Sequence, residues 1–269
     1  MKRLYIEAVS LLIQEVSATS TELKKELEHT AGQKFRRINH FVLLALTAVF
    51  RLPNLSRIDP KCSLYLGTSN GCARDTLNML EQMYRDTQLP MPFTFMGIST
   101  NMAGFHIGQN LRLSGSNLTV SNIYDPFGQA LALACMDIEM GKVSSALVGC
   151  VDEGVFPLDE FKRVTHKNKN DCLLEGGGWL KLSLACVNPL AVIIARESFK
   201  TLAAVEDYCG QQALNEPLTV IRNRDSGYVG ASGGIDFVQA LLTQRSGIIA
   251  LISQTGLMHF SVTLTRILG

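Results

Sequence analysis

The chain is 269 residues long, 46% hydrophobic and 18% charged, which supplies an extensive apolar core and excludes a disordered or low-complexity protein. Lys and Arg total 25 against 24 Asp and Glu, so the net charge of +1 gives no broad footprint for nucleic acid or an anionic membrane. The seven Cys are scattered, with no C-x-x-C pair and no His at ligand spacing, so neither a disulfide framework nor a metal site is written in the chain. The opening stretch to Val16 is interrupted by Glu7 and Glu15 and does not read as a signal peptide. No apolar run reaches membrane-spanning length. A cytoplasmic, reduced protein without membrane insertion is expected.

Short apolar runs alternate with helical patterns. Arg3–Val9 is strand-like, Ser20–Glu28 is a helix with a charged face, and Ile38–Phe50 is an apolar helix ending before Pro53. Ser63–Gly67 is a strand, followed by an amphipathic helix over Ala73–Asp86 with Leu77, Leu80, Met83 and Tyr84 on one stripe. Thr100–Leu111 reads as a buried helix, Leu118–Ser121 as a strand, Pro126–Met140 as an apolar helix and Ser145–Gly149 as a strand. Trp179–Ala185 and Ala191–Ala195 follow one another without a helix between them, as neighbouring antiparallel strands would. A helix over Gly233–Gln244 and a strand pair, Gly247–Ser253 with Phe260–Arg266, close the chain. The alternation implies a largely parallel or mixed sheet covered on both faces. Val143–Val151 and Gly247–Thr255 each follow a helix and are candidates for equivalent parts of two halves.

Three loops are candidates for chemistry. Gly67-Thr68-Ser69-Asn70-Gly71 matches G-x-S-x-G between a strand and a helix, the setting of a nucleophilic serine; His259 is the only His late enough to complete the usual order. A tight glycine turn is the simpler reading. Gly176-Gly177-Gly178 and the run Gly227-Tyr228-Val229-Gly230-Ala231-Ser232-Gly233-Gly234 fit neither dinucleotide nor P-loop spacing, so no nucleotide cofactor is expected. In Val120–Gly128, Asp125 suits a helix N-cap and Pro126 the first helical position. A cysteine just ahead of them would gain from the positive helix end as a thiolate, but the chain places Tyr124 there.

With these residues the chain resembles the β-ketoacyl synthases of the thiolase superfamily. The resemblance runs through Ser63–Gly71, from about Asn101 to Glu153, and through Leu174-Glu175-Gly176-Gly177-Gly178-Trp179 and Gly230-Ala231-Ser232-Gly233. It implies an α/β, thiolase-like layered αβαβα fold with mixed sheets and a truncated second half. The whole chain, 1–269, would form one domain, with a first half over 1–190 and a shortened second half over 191–269.

Departures from the family pattern shape the functional expectation. The family's catalytic Cys falls on Tyr124, a poor acyl acceptor beside a thiolate. The first catalytic His falls in a shortened stretch around Tyr208–Pro217 and the second near Gly227–Tyr228, where no His stands. The gating Phe of the family is replaced in Gln254-Thr255-Gly256. No catalytic residue is therefore expected. The resemblance implies a chain-length-factor-like subunit that heterodimerises with an active ketosynthase and meets an acyl carrier protein through the complex. The compact form is most like the partner subunit of bacterial aryl polyene biosynthesis. The dimer strand would be Asn117, Leu118, Thr119, Val120, Ser121 and Asn122, with tunnel or interface positions at Ser99, Met102, Phe105, His106 and Phe127. Alternatives are a serine hydrolase acting through Ser69 and a self-associating scaffold.

Overall fold

A computed structural model describes residues 2–16, 19–164, 172–214, 216–222, 232–256 and 259–269. Its strands are β1 (Leu4–Glu15), β2 (Ser63–Thr68), β3 (Asn117–Ser121), β4 (Ser145–Asp152), β5 (Leu174–Ser183), β6 (Ala191–Phe199), β7 (Leu218–Arg222), β8 (Gly247–Gly256) and β9 (His259–Ile267). Among the described residues they form one nine-stranded sheet in the order β3-β2-β4-β5-β1-β6-β9-β8-β7. The sheet is mixed: β2 runs parallel to β3 and β4, and β7 parallel to β8, while the remaining pairings are antiparallel. Every residue of β2 and β4 is buried, as the unbroken apolar runs of a strand covered on both faces require.

The expected neighbour pair near the middle of the chain does not form. β1 lies between β5 and β6 and pairs antiparallel with both. Its apolar residues continue well past Val9, so it extends to Glu15 and offers β5 a ladder ten residue pairs long. Only tertiary pairing separates that outcome from a hairpin, because both place β5 and β6 in extended, half-buried conformations.

The sheet is two related halves. From its centre outwards, β1-β5-β4-β2 on one side matches β6-β9-β8-β7 on the other, with β3 added at the first edge. The halves join through three residue pairs between β1 and β6. In each half a helix leads into a strand that is parallel to its outer neighbour and antiparallel to its inner one; these strands are β4 and β8. The two helices are α6 (Pro126–Glu139) and α9 (Ser232–Thr243). α6 packs on β2, β4 and β8, and α9 on β1, β5, β7 and β8, so both lie between the halves. The outer face of the first half carries α1 (Thr21–Ala31), α2 (His40–Phe50) and α5 (Met102–Leu111), and that of the second carries α8 (Leu202–Ala213). The layering is α-β-α-β-α. In α2 every residue from Phe41 to Val49 is buried, as expected of a helix that is apolar all round.

Three more helices lie outside these layers: α3 (Ala73–Tyr84), α4 (Pro92–Gly97) and α7 (Leu158–Val164). The stripe on α3 faces outwards rather than into the core: Leu77, Leu80, Met83 and Tyr84 are all exposed, and Met79 is the buried residue of the helix. Periodicity identifies an apolar face but not what covers it.

Candidate functional site

The start of α6 is set by contacts at atomic closeness. A Cβ on Gly67 in β2 would lie 2.5 Å from the Pro126 carbonyl carbon, so only glycine lets the helix begin against the strand end. Asn122 Oδ1 accepts the Tyr124 N–H at 2.7 Å, and the Asn122 N–H donates to the Thr68 carbonyl at 3.2 Å, which together turn the chain out of β3. Asp125 caps the helix by accepting the Gly128 N–H at 3.0 Å, with Pro126 in the first turn, as the sequence pattern predicts.

Asp125 is fully buried and faces across to the second half of the fold. Its carboxyl and the Ser253 hydroxyl of β8 both occupy the space that a side chain on Gly128 would need. Burial pushes its pKa up, and the Ser253 hydroxyl and the Gly128 N–H offset only part of that rise. The positive end of α6 thus meets a half-buried tyrosine and a buried carboxyl. The nearby cysteines are not poised as nucleophiles. Cys150 and Cys135 are wholly buried, and burial pushes the Cys135 thiol up to about 12, far from a thiolate at neutral pH. The stretch around Tyr228 lies outside the described residues. His259 is exposed at the start of β9, opposite Gly256.

Ser69 sits in the predicted turn, but its hydroxyl is buried and has no hydrogen-bond partner among the described residues. The turn is organised by Asp152 at the end of β4, which accepts the Thr68 hydroxyl at 2.7 Å and the N–H groups of Ser69 and Asn70 at 2.9 and 2.8 Å. Burial still raises the Asp152 pKa to about 6, against these donors. Among the described residues no base reaches Ser69, and the G-x-S-x-G segment there serves as a turn.

The expected tunnel and interface residues divide into groups. Met102, Phe105 and His106 line a cleft of about 650 Å³ between α2, α4 and α5. The Phe105 and His106 rings meet edge to face at 5.5 Å, and burial lowers the His106 pKa. Ser99 lies just before α5, its hydroxyl bonded to Asn101 Oδ1 at 2.7 Å. Phe127 does not share the cleft. It is buried in the central layer, 5.8 Å from the Phe237 ring of α9. Ile107, beside Phe105 in the sequence, also faces the core.

β3 is the sheet edge, paired only with β2. Leu64 is in register with Asn117, and its N–H donates to the Ser116 carbonyl at 2.7 Å. In a parallel ladder this phase directs the N–H and C=O groups of residues 118 and 120 to β2 and those of 117, 119 and 121 away from it. The edge therefore presents three N–H and three C=O groups outward. Leu118 on β3 is exposed, as are Leu89, Met91, Phe95, Met96 and Phe105 along α4, α5 and the segment before them.

One cluster was invisible to motif reading. Glu175, fully buried on β5, accepts from Gln14 Nε2 at 2.9 Å, His40 Nε2 at 2.8 Å, Arg74 Nη2 at 2.6 Å and the Gly154 N–H at 3.1 Å. Burial alone would raise its pKa, but His40, Arg74 and Gln14 outweigh that and hold it below the usual carboxylate range. Glu153 is less well served: it accepts the Arg74 backbone N–H at 2.9 Å, its other oxygen lies 3.8 Å from Arg74 Nε, and burial pushes its pKa up to about 8. The available signals were His40 opening a wholly apolar helix, Glu175 opening a glycine run, and Asp152-Glu153 closing an apolar strand.

The chain has the mixed α/β, thiolase-like fold of the ketosynthases. Among solved structures it resembles "The ishigamide ketosynthase/chain length factor", with a TM-score of 0.75, 15% identity and 99% of both chains covered. It also resembles a chain of the complex described as "type II PKS acyl-carrier protein in complex with its ketosynthase bound to the hexaketide", with a TM-score of 0.73, 14% identity and 100% of both chains covered. A third is a β-ketoacyl synthase from Burkholderia phymatum, with a TM-score of 0.71, 12% identity and 100% of both chains covered. No protein-family model matches the chain, and no curated protein matches it. Among the described residues no helix is long and apolar enough to cross a membrane.

Proposed function

We propose that this chain is a chain-length-factor-like subunit, non-catalytic in condensation, that pairs with an active β-ketoacyl synthase and forms part of the wall around the growing acyl or polyene chain. The observation that carries the reading is the open β3 edge, whose outward backbone groups lie beside exposed apolar residues on α4 and α5. An edge with no charge and no proline to block pairing is completed by a partner strand. Tyr124 at the start of α6, where the enzymes carry their thiol, supports a role without condensation chemistry. We assign the pair to an aryl-polyene-type assembly in the cytoplasm, served by an acyl carrier protein, with residues 1–269 acting as one unit. The test is co-expression with a ketosynthase encoded beside it, followed by size-exclusion chromatography with light scattering. A 1:1 complex is expected; a monodisperse monomer that ignores the ketosynthase refutes the reading.

A further inference from the structure

Ser20 is the N-cap residue of α1, yet its side chain makes no capping bond. Serine is among the best caps, so the diversion of its hydroxyl calls for a reason. That hydroxyl lies 2.6 Å from His40 Nδ1, and His40 Nε2 lies 2.8 Å from Glu175 Oε1. Glu175 is buried and accepts from four donors, as an ionised carboxylate does. An ionised carboxylate only accepts, so Nε2 donates to it, and in the neutral imidazole Nδ1 is then left with its lone pair toward the Ser20 hydroxyl. The result is a nucleophile, a base and a group that orients the base, in line. The ring nitrogens are exchanged relative to the familiar triad, but the proton path is the same. The first N–H groups of α1 receive no bond from the Ser20 side chain, and the positive end of a helix favours an oxyanion.

We propose that Ser20, His40 and Glu175 form a nucleophilic serine site that cleaves small activated acyl esters. Ser20 Oγ attacks the acyl carbon while its proton passes to His40 Nδ1. The bond from the acyl carbon to the leaving oxygen then breaks, and that proton moves from Nδ1 to the leaving alcohol. Water repeats the sequence against the acyl-serine, releasing the acid and restoring Ser20. Ser20 is half-buried and does not line the 650 Å³ cleft, so the substrates proposed are small esters that need no deep pocket.

The experiment treats the purified full chain with a fluorophosphonate probe, reads the adduct by intact mass and peptide mapping, and follows p-nitrophenyl acetate hydrolysis in parallel. One adduct at Ser20 is expected, absent in Ser20→Ala and retained in Ser69→Ala. His40→Gln should slow labelling by about 100-fold or more. Ser20→Ala removes no capping bond but loses the bond to His40, so it should keep the wild-type circular dichroism with only a small fall in melting temperature, and loss of its label is interpretable even if His40→Gln fails to fold. No adduct on the folded wild-type chain, an adduct that persists in Ser20→Ala, or one that maps to Ser69 overturns the proposal. None of these outcomes depends on the ketosynthase partner.

Discussion

Replacing Thr119 with proline tests the edge-strand reading at a single backbone group. The register directs the Thr119 N–H away from β2, so Thr119→Pro breaks no bond of the internal ladder. The extended backbone of a strand also satisfies the restriction that proline places on Leu118. Across an interface the loss is one hydrogen bond, about 1 kcal/mol, plus about 1–3 kcal/mol for the partner carbonyl left buried and unpaired. The sum, about 2–4 kcal/mol, weakens association roughly 30- to 700-fold. Val120→Pro is the contrasting variant, because the Val120 N–H points to the Leu66 carbonyl and its loss damages the subunit itself. The assay is a titration of the ketosynthase with each variant, alongside thermal melts of the isolated chains. Thr119→Pro should bind roughly 30- to 700-fold more weakly at unchanged melting temperature, whereas Val120→Pro should lower the melting temperature. Tight binding by a folded Thr119→Pro refutes the argument that the 117, 119 and 121 edge forms the shared ladder.

Three further outcomes follow from the geometry. Tyr124→Cys restores a thiol but no histidine pair, so incubation with acyl and malonyl carrier thioesters should give slow acylation at most and no condensation product by mass spectrometry; turnover without a partner contradicts this. A carboxyl whose pKa is raised in the folded state supports the fold while protonated, and that support is lost as pH rises from the unfolded value near 4.5 through the folded value of about 8 for Glu153. Glu153→Gln should therefore flatten the decline in urea-unfolding free energy between pH 5 and 9 and exceed wild type at the alkaline end, by on the order of a few kcal/mol; parallel profiles refute it. Gly67→Ala places a methyl 2.5 Å from the Pro126 backbone and should cost about 1–3 kcal/mol by denaturant unfolding, with an unchanged midpoint as the refuting result.

Much of this protein was legible in one dimension because the relevant forces are local. The unbroken apolar runs at Ser63–Thr68 and Ser145–Asp152 specify fully buried strands. Asp125 before Pro126 specifies a helix start, and its side chain accepts the Gly128 N–H there. The order of such signals was enough to reach the fold class. Periodicity reported an apolar stripe on α3 but not that the stripe is exposed, since solvent contact depends on what the rest of the chain leaves uncovered.

Pairing and long-range contact were decided by the tertiary structure. β1 enters between β5 and β6 because an extended apolar strand can satisfy two ladders at once, and no local signal records which neighbours it takes. Phe127 belongs to the central core and Phe105 to an open cleft, although both are apolar aromatic residues on helices. The serine chosen by motif, Ser69, has no base among the described residues, while Ser20, in no motif, lies against His40. A motif encodes spacing along one segment, whereas Ser20, His40 and Glu175 lie 20 and 135 positions apart and meet only when α1, α2 and β5 pack together. The sequence by itself determined most of the strands and helices and the tyrosine ahead of α6, while α4, α7, α8 and β7 carried no pattern strong enough to read; which side chains share a site was determined by packing, because contact energies act through space and not along the chain.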